Sequence, residues 1–76
     1  MDKATQRAKI LNYCAEHGSI TIREAFEKLK INSPSKRISE MRQSVKYNVE
    51  SIRVERTNED GEVKRYKRYF ISEVAQ

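Results

Sequence analysis

Apolar positions along the chain change their spacing near residue 46. Before that point they recur every three or four residues, which predicts helices at about residues 4–17, 21–30 and 33–45. After it, β-branched and aromatic residues concentrate in two runs, at about residues 49–57 and 63–71. The pattern predicts one α+β domain spanning residues 1–76, with three helices followed by a two-stranded β-hairpin.

The second helix has the clearest helical signature. Thr21 with Glu24 three residues later predicts a reciprocal capping box at its start. The i, i+3, i+4, i+7 pattern then places four residues on the core: Ile22, Ala25, Phe26 and Leu29. On this assignment, Phe26→Ala would cost about 3 to 5 kcal/mol.

The other helix ends are also marked. Asp2 or Thr5 can cap the first helix, and Gly18 ends it. Ser33 is predicted to cap the third helix, with Pro34 at the first helical position, where its missing N–H costs nothing. The third helix is expected to run to Ser44 or Val45, with one apolar stripe: Ile38, Met41 and Val45.

The hairpin has a turn signal between its strands. Asp60-Gly61 suits such a turn because glycine accepts the positive φ that it requires. We expect Tyr69 and Ile71 to face the core and to pair across the strands with Ile52 and Val54. A slip of one residue would reverse the two faces.

The chain is small and basic. It has 76 residues and a formal charge of +5, with a pI near 9.6. This positive charge favours a polyanionic binding partner such as nucleic acid, although ribosomal proteins, membrane-surface proteins and other soluble proteins can be equally basic. A chain this short builds a deep enzyme cleft with difficulty. One cysteine excludes an intramolecular disulfide, and the sequence shows neither an apolar leader nor a membrane span, so we expect an intracellular protein.

The third helix carries the first candidate surface. Lys36, Arg37 and Arg42 offer cations to phosphates, Arg37 is an alternative guanine reader, and Gln43 can pair with adenine. Glu40 repels phosphate and is expected to pair with Lys36. The candidate set is Ser33, Ser35, Lys36, Arg37, Ser39, Glu40, Arg42 and Gln43. The alternative is that these side chains only solvate an outward face.

The second strand of the hairpin carries the other candidate surface. Its basic run can follow a phosphate backbone, and Tyr66 can pack on a sugar or an unpaired base. The candidate residues are Lys64, Arg65, Tyr66, Lys67 and Arg68. The alternative is an edge strand that charge protects against aggregation. The acidic hairpin tip makes a poor minor-groove probe.

A catalytic or metal site is disfavoured. Cys14 and His17 lie one helical turn apart, but Cys14 is on the apolar face and nothing orients His17. We expect no enzyme activity, no metal and no cofactor.

The element order resembles the winged helix-turn-helix fold, with the hairpin as the wing. The stretch ILNYCAEHGSITIREAFEKLKINSPSKRISEMRQS is similar to small winged-helix domains of bacteriophage and prophage proteins. The resemblance implies DNA binding through the third helix and the wing, which maps recognition onto Ser33 through Gln43. Such domains often have a glycine just after the third helix, where this chain has Ser44-Val45.

The function predicted from these features is sequence-specific binding of double-stranded DNA. The resemblance suggests a transcription regulator or an excisionase-like architectural factor of a phage or mobile element, in the cytoplasm or nucleoid of a bacterial host. A protein-interaction module that blocks or recruits a partner is the alternative, and RNA binding is a third possibility. We expect no membrane association and a monomer that loads cooperatively on DNA, because no apolar helix is left over for a dimer.

Overall fold

The computed structural model describes residues 2–74, which form three helices and a three-stranded antiparallel sheet. The elements are α1 (Lys3–His17), β1 (Ile20–Thr21), α2 (Ile22–Leu29), α3 (Pro34–Gln43), β2 (Tyr47–Thr57) and β3 (Val63–Glu73). This arrangement confirms the predicted α+β fold. The sheet is larger than the predicted two-stranded hairpin, because the short extended segment before α2, β1, pairs with β3 and gives the order β1-β3-β2.

The core lies between the helices and the base of the sheet. Every helix contributes to it, as do β1, β3 and the connection between α2 and α3. Its buried apolar residues are Ile10, Cys14, Ile20, Ala25, Ile31, Ile38, Met41 and Ile71. The short connection between α2 and α3 is therefore anchored by its own buried side chain, Ile31.

Local capping explains where α1 and α2 begin. A side-chain oxygen of Asp2 accepts from the Thr5 amide at 2.8 Å, and this hydrogen bond lowers the pKa of Asp2. At α2, the Thr21 hydroxyl accepts from the Glu24 amide at 3.0 Å and the Glu24 carboxylate accepts from the Thr21 amide at 2.9 Å. The predicted capping box is confirmed, as is the end of α1 at Gly18, whose φ is +89°.

The two ends of α3 differ from the prediction. The Ser33 side chain makes no capping hydrogen bond, and Ser33 contributes to the start of α3 only through its carbonyl, which accepts the first helical hydrogen bond from the Arg37 amide at 3.3 Å. The helix ends at Gln43, because Ser44 is extended, with φ −84° and ψ 137°. Val45 consequently lies outside the helix and is 90% exposed, so it does not belong to the apolar stripe.

Phe26 is also placed differently from the prediction, because it is 56% exposed. Ala25 is the α2 residue that faces straight into the core, with Ile22 and Leu29 packed beside it. Phe26 lies about 100° further round the helix than Ala25, which carries its ring to the edge of the apolar face. An i, i+3, i+4 pattern does not decide which of two adjacent apolar residues takes the centre of the face.

The exposure of Phe26 changes the expected effect of its removal. Phe26→Ala should alter the free energy of unfolding by less than about 1 kcal/mol, as is usual for surface positions. Urea denaturation followed by circular dichroism measures this. A loss of about 3 kcal/mol or more would mean that the ring is buried in solution.

The hairpin register corrects the predicted strand pairs. Ile71 is buried and Tyr69 packs against the core, as predicted, but their partners across the sheet are Val49 and Ser51. The connection sets this register: Asn58 and Glu62 close a three-residue turn that ends in Gly61, whose φ is +83°. Ile52 and Val54 therefore lie opposite Arg68 and Tyr66, on the other face of the sheet.

The outer part of the hairpin extends beyond the core as a wing. Between residues 52–57 and 63–67 no side chain is buried, whereas the base of the hairpin packs through Val49, Tyr69 and Ile71. The whole hairpin has 11 residues in each strand. Within residues 2–74, no helix has the length and apolar character needed to cross a membrane.

Candidate nucleic-acid interface

The exposed side of α3 collects five of the predicted residues. Ser35, Lys36, Ser39, Arg42 and Gln43 are all exposed and fall within an arc of about 120° around the helix axis. Lys36 and Arg42 form no salt bridge with any residue of the described range 2–74. Two cations, an amide and two hydroxyls therefore share one solvent-facing surface, beside the exposed Ser33.

The structure does not place Arg37 and Glu40 with this group. Arg37 is only 6% exposed, and its Nη2 lies 3.3 Å from Oε2 of Glu40. The other Glu40 oxygen, Oε1, accepts from Nη1 of Arg7 in α1 at 2.9 Å. Arg37 is thus not available as an outward guanine reader, and Glu40 pairs with Arg7 and Arg37 rather than with Lys36.

The Arg7–Glu40–Arg37 triad connects α1 to α3. Glu40 is the central carboxylate, with a side chain 36% exposed, whereas the Arg37 side chain is 8% exposed. The buried Nε of Arg37 has no hydrogen-bond partner among residues 2–74. Because a buried guanidinium is costly without a counter-charge, Glu40 makes this packing of α3 possible.

Replacing Glu40 should therefore destabilise the fold. Glu40→Gln keeps the size of the side chain but leaves Arg37 buried without a counter-charge. We expect the free energy of unfolding to fall by about 2 kcal/mol, which is less than for a fully buried ion pair because Glu40 is partly exposed. Adding Arg37→Met removes the buried charge and should restore part of the stability. Urea denaturation of both variants tests this, and an unchanged stability of Glu40→Gln would contradict it.

The basic run of β3 divides between the two faces of the wing. Lys64, Tyr66 and Arg68 alternate with Arg65 and Lys67. Two of the four cations have partners within the protein. Arg65 Nε donates to Glu55 at 2.8 Å, and Arg68 Nη1 donates to Ser19 Oγ at 2.9 Å and approaches Glu24 at 3.5 Å.

The remaining wing cations face further cations that sequence reasoning missed. Lys64 lies opposite Arg56, and Lys67 lies opposite Arg53. None of the four forms a salt bridge with a residue of the described part of the chain. Like charges directly across a ladder are destabilising. These two pairs, which we call the wing cation pairs, are a charge arrangement suited to an external anion, and the correct hairpin register would have revealed them.

Cys14 is buried in the core, whereas His17 is exposed at the end of α1. Burial raises the pKa of the Cys14 thiol, which keeps it in the unreactive protonated form at neutral pH. The His17 ring packs against Tyr13 with a centroid distance of 4.3 Å. Among the described residues, no three His, Cys, Asp or Glu side chains gather as a possible metal site.

Three helices, with α2 and α3 joined by a short connection, and a projecting β-hairpin define a winged-helix protein. The family described as the winged helix-turn-helix domain matches residues 5–74, and the chain belongs to this family. Domains of this class generally serve as DNA-binding modules rather than as enzymes. No curated protein and no solved structure matches the chain.

Proposed function

We propose that the protein binds double-stranded DNA sequence-specifically, with α3 in the major groove and the wing along the phosphate backbone. The observation that carries this proposal is the pair of cationic surfaces without internal counter-charges. One is the exposed side of α3, with Lys36 and Arg42, and the other is the wing, whose two cation pairs lie on its opposite faces. A surface that leaves cations unpaired is complementary to a polyanion.

Within α3, each exposed side chain has a distinct role in this proposal. Gln43 is the base reader, because its amide can pair bidentately with adenine in the major groove. Lys36 and Arg42 contact phosphates, while Ser35 and Ser39 allow the helix to approach closely. The first-turn amides carry no cap from the Ser33 side chain, so they can donate to a phosphate oxygen.

In the wing, we assign phosphate contacts to Lys64 and Lys67 from the predicted run and add Arg53 and Arg56. Arg65 and Arg68 have internal acidic partners and act mainly by holding the wing in place. Tyr66 is half-buried on the same face as Lys64. The acidic tip stays away from the duplex.

The biological role proposed with this activity is regulation of transcription, or excisionase-like shaping of DNA, in a phage or other mobile element. It rests on the resemblance of the stretch from α1 to α3 to small phage and prophage domains. The protein would act on DNA in the cytoplasm or nucleoid of a bacterial host, as a monomer that loads cooperatively on adjacent sites. One small winged helix has a short footprint, so repeated sites would increase its selectivity.

A second candidate function is that of a protein-interaction module. It is favoured by exposed apolar side chains outside the cationic surfaces, in particular Val45 and Val63, which are available to a partner protein. In that case the charges on α3 and the wing would serve solubility, and DNA affinity would be weak and without sequence preference.

Selection of bound sequences from random duplex DNA, repeated at two salt concentrations, separates the two candidates. A recovered motif should then lose about 1 to 3 kcal/mol of affinity with Gln43→Ala, while random duplex loses less. Asn12→Ala, which removes an exposed side-chain amide from α1, is the matched control and should change neither affinity. Equal losses on the motif and on random DNA would remove the base-reading role of Gln43, and the absence of any motif would favour the protein-interaction module.

A further inference from the structure

A groove runs between α2 and the wing, apart from the exposed side of α3. Its helical wall includes Ile22 and Phe26, and its other wall includes Arg56, Lys64 and Tyr66. Asn32 and Pro34, at the start of α3, also line it. The groove therefore leads away from the beginning of the proposed recognition helix.

The groove carries an excess of positive charge on its wing side. The two carboxylates of the helical wall are neutralised internally, since Glu24 lies 3.5 Å from Arg68 and Glu27 accepts from Arg23 at 2.9 Å. Arg56, Lys64 and Lys67 have no such partners within residues 2–74. Glu59 contributes one carboxylate near the tip. The ligand that complements this wall is an anionic chain.

Two aromatic rings lie in the same groove. Phe26 exposes more than half of its surface there, and Tyr66 lies on the cationic wall. Paired bases in a duplex hide their faces from such rings, whereas unpaired bases can stack on them. Cations beside exposed aromatic rings are the combination by which proteins hold single-stranded nucleic acid.

We propose that this groove binds a short unpaired DNA strand that continues from the duplex held by α3. Where this strand leaves the duplex, its phosphates remain on Arg56 and Lys64, the cation pair on the Tyr66 face of the wing, and its unpaired bases stack on Phe26 and Tyr66. The proposal rests on the proposed function for the duplex part of the site, and it adds a preference for DNA with a frayed, gapped or overhanging end.

The test compares three DNAs that share one duplex carrying the selected motif. The first is blunt, the second has a thymidine overhang of about six nucleotides, and the third has the same overhang without bases. The protein should bind the thymidine overhang about 5- to 100-fold more tightly than the blunt duplex. Phe26→Ala should reduce this ratio and leave the blunt-duplex affinity unchanged, and Tyr66→Ala should also reduce the ratio, whereas Val63→Ala, an exposed apolar control outside the groove, should change neither value.

The affinity for the blunt duplex tests the proposed function, and the ratio between overhang and blunt DNA tests the groove. Equal gains from the thymidine and abasic overhangs would show contacts to phosphate alone and overturn the stacking proposal. The absence of any gain in affinity from the thymidine overhang would also overturn it. A loss of blunt-duplex affinity in Phe26→Ala equal to its loss on the overhang would make the groove part of the duplex site, which contradicts the proposal.

Discussion

Replacing Arg53, Arg56, Lys64 and Lys67 together by glutamine should weaken binding to every duplex and flatten its dependence on salt. Each phosphate contact contributes about 0.9 to the slope of log affinity against log salt, so four lost contacts reduce the slope by about 3 to 4. Over a fourfold rise in salt, the variant should therefore lose about a hundredfold less affinity than the wild type. Fluorescence anisotropy titrations at several salt concentrations measure the slope.

A control with the same loss of charge separates local contacts from net charge. Lys3 and Lys9 of α1 and Lys28 and Lys30 at the end of α2 are exposed cations that do not belong to the proposed α3 and wing surfaces, and their joint replacement by glutamine should change the slope much less. If both sets change the slope equally, the wing makes no specific phosphate contacts. The wing variant should also remain as stable as the wild type, because the removed groups face like charges.

A large effect on stability is expected at Ile31, one of four large side chains that are fully buried within residues 2–74. Its side chain is fully buried in the connection between α2 and α3, so Ile31→Ala should lower the free energy of unfolding by about 2 to 4 kcal/mol. A domain of this size has a total free energy of unfolding of roughly 4 to 11 kcal/mol, so this substitution would remove a large fraction of its stability. Urea denaturation gives the value. Val45→Ala is the matched aliphatic control, and a similar cost at both positions would contradict the described core.

Signals that act over a few residues made much of the fold predictable. The Thr21–Glu24 capping box and Gly18 depend only on the backbone within one helical turn, and the structure has both. The apolar alternation of β3 correctly placed Tyr69 and Ile71 toward the core. In each case the physical cause lies within the segment itself.

The predicted positions of several residues are wrong where contacts with a distant element determine which way a side chain faces. From the sequence of α3 alone, Arg37 and Glu40 were predicted to face solvent. In the structure, Glu40 forms salt bridges with Arg7 of α1 and with Arg37, and the Arg37 side chain is buried. The core position predicted for Phe26 is wrong because periodicity does not distinguish it from Ala25. The wing cation pairs were missed because the connection at Asn58 sets a register that the strand sequences do not specify.

If several molecules load on adjacent sites as proposed, the acidic turn at the end of the hairpin affects how they are oriented on the DNA. Glu59, Asp60 and Glu62 are all exposed at the tip, next to flanks that hold the wing cation pairs. Phosphates attract the flanks and repel the tip, so the hairpin should lie obliquely on the duplex with its end raised from it. The raised tip then presents a small negative surface to the adjoining molecule. This surface attracts a neighbour whose α1 lysines face it and repels a neighbour whose acidic tip faces it. Successive molecules would thus be oriented head to tail along the DNA.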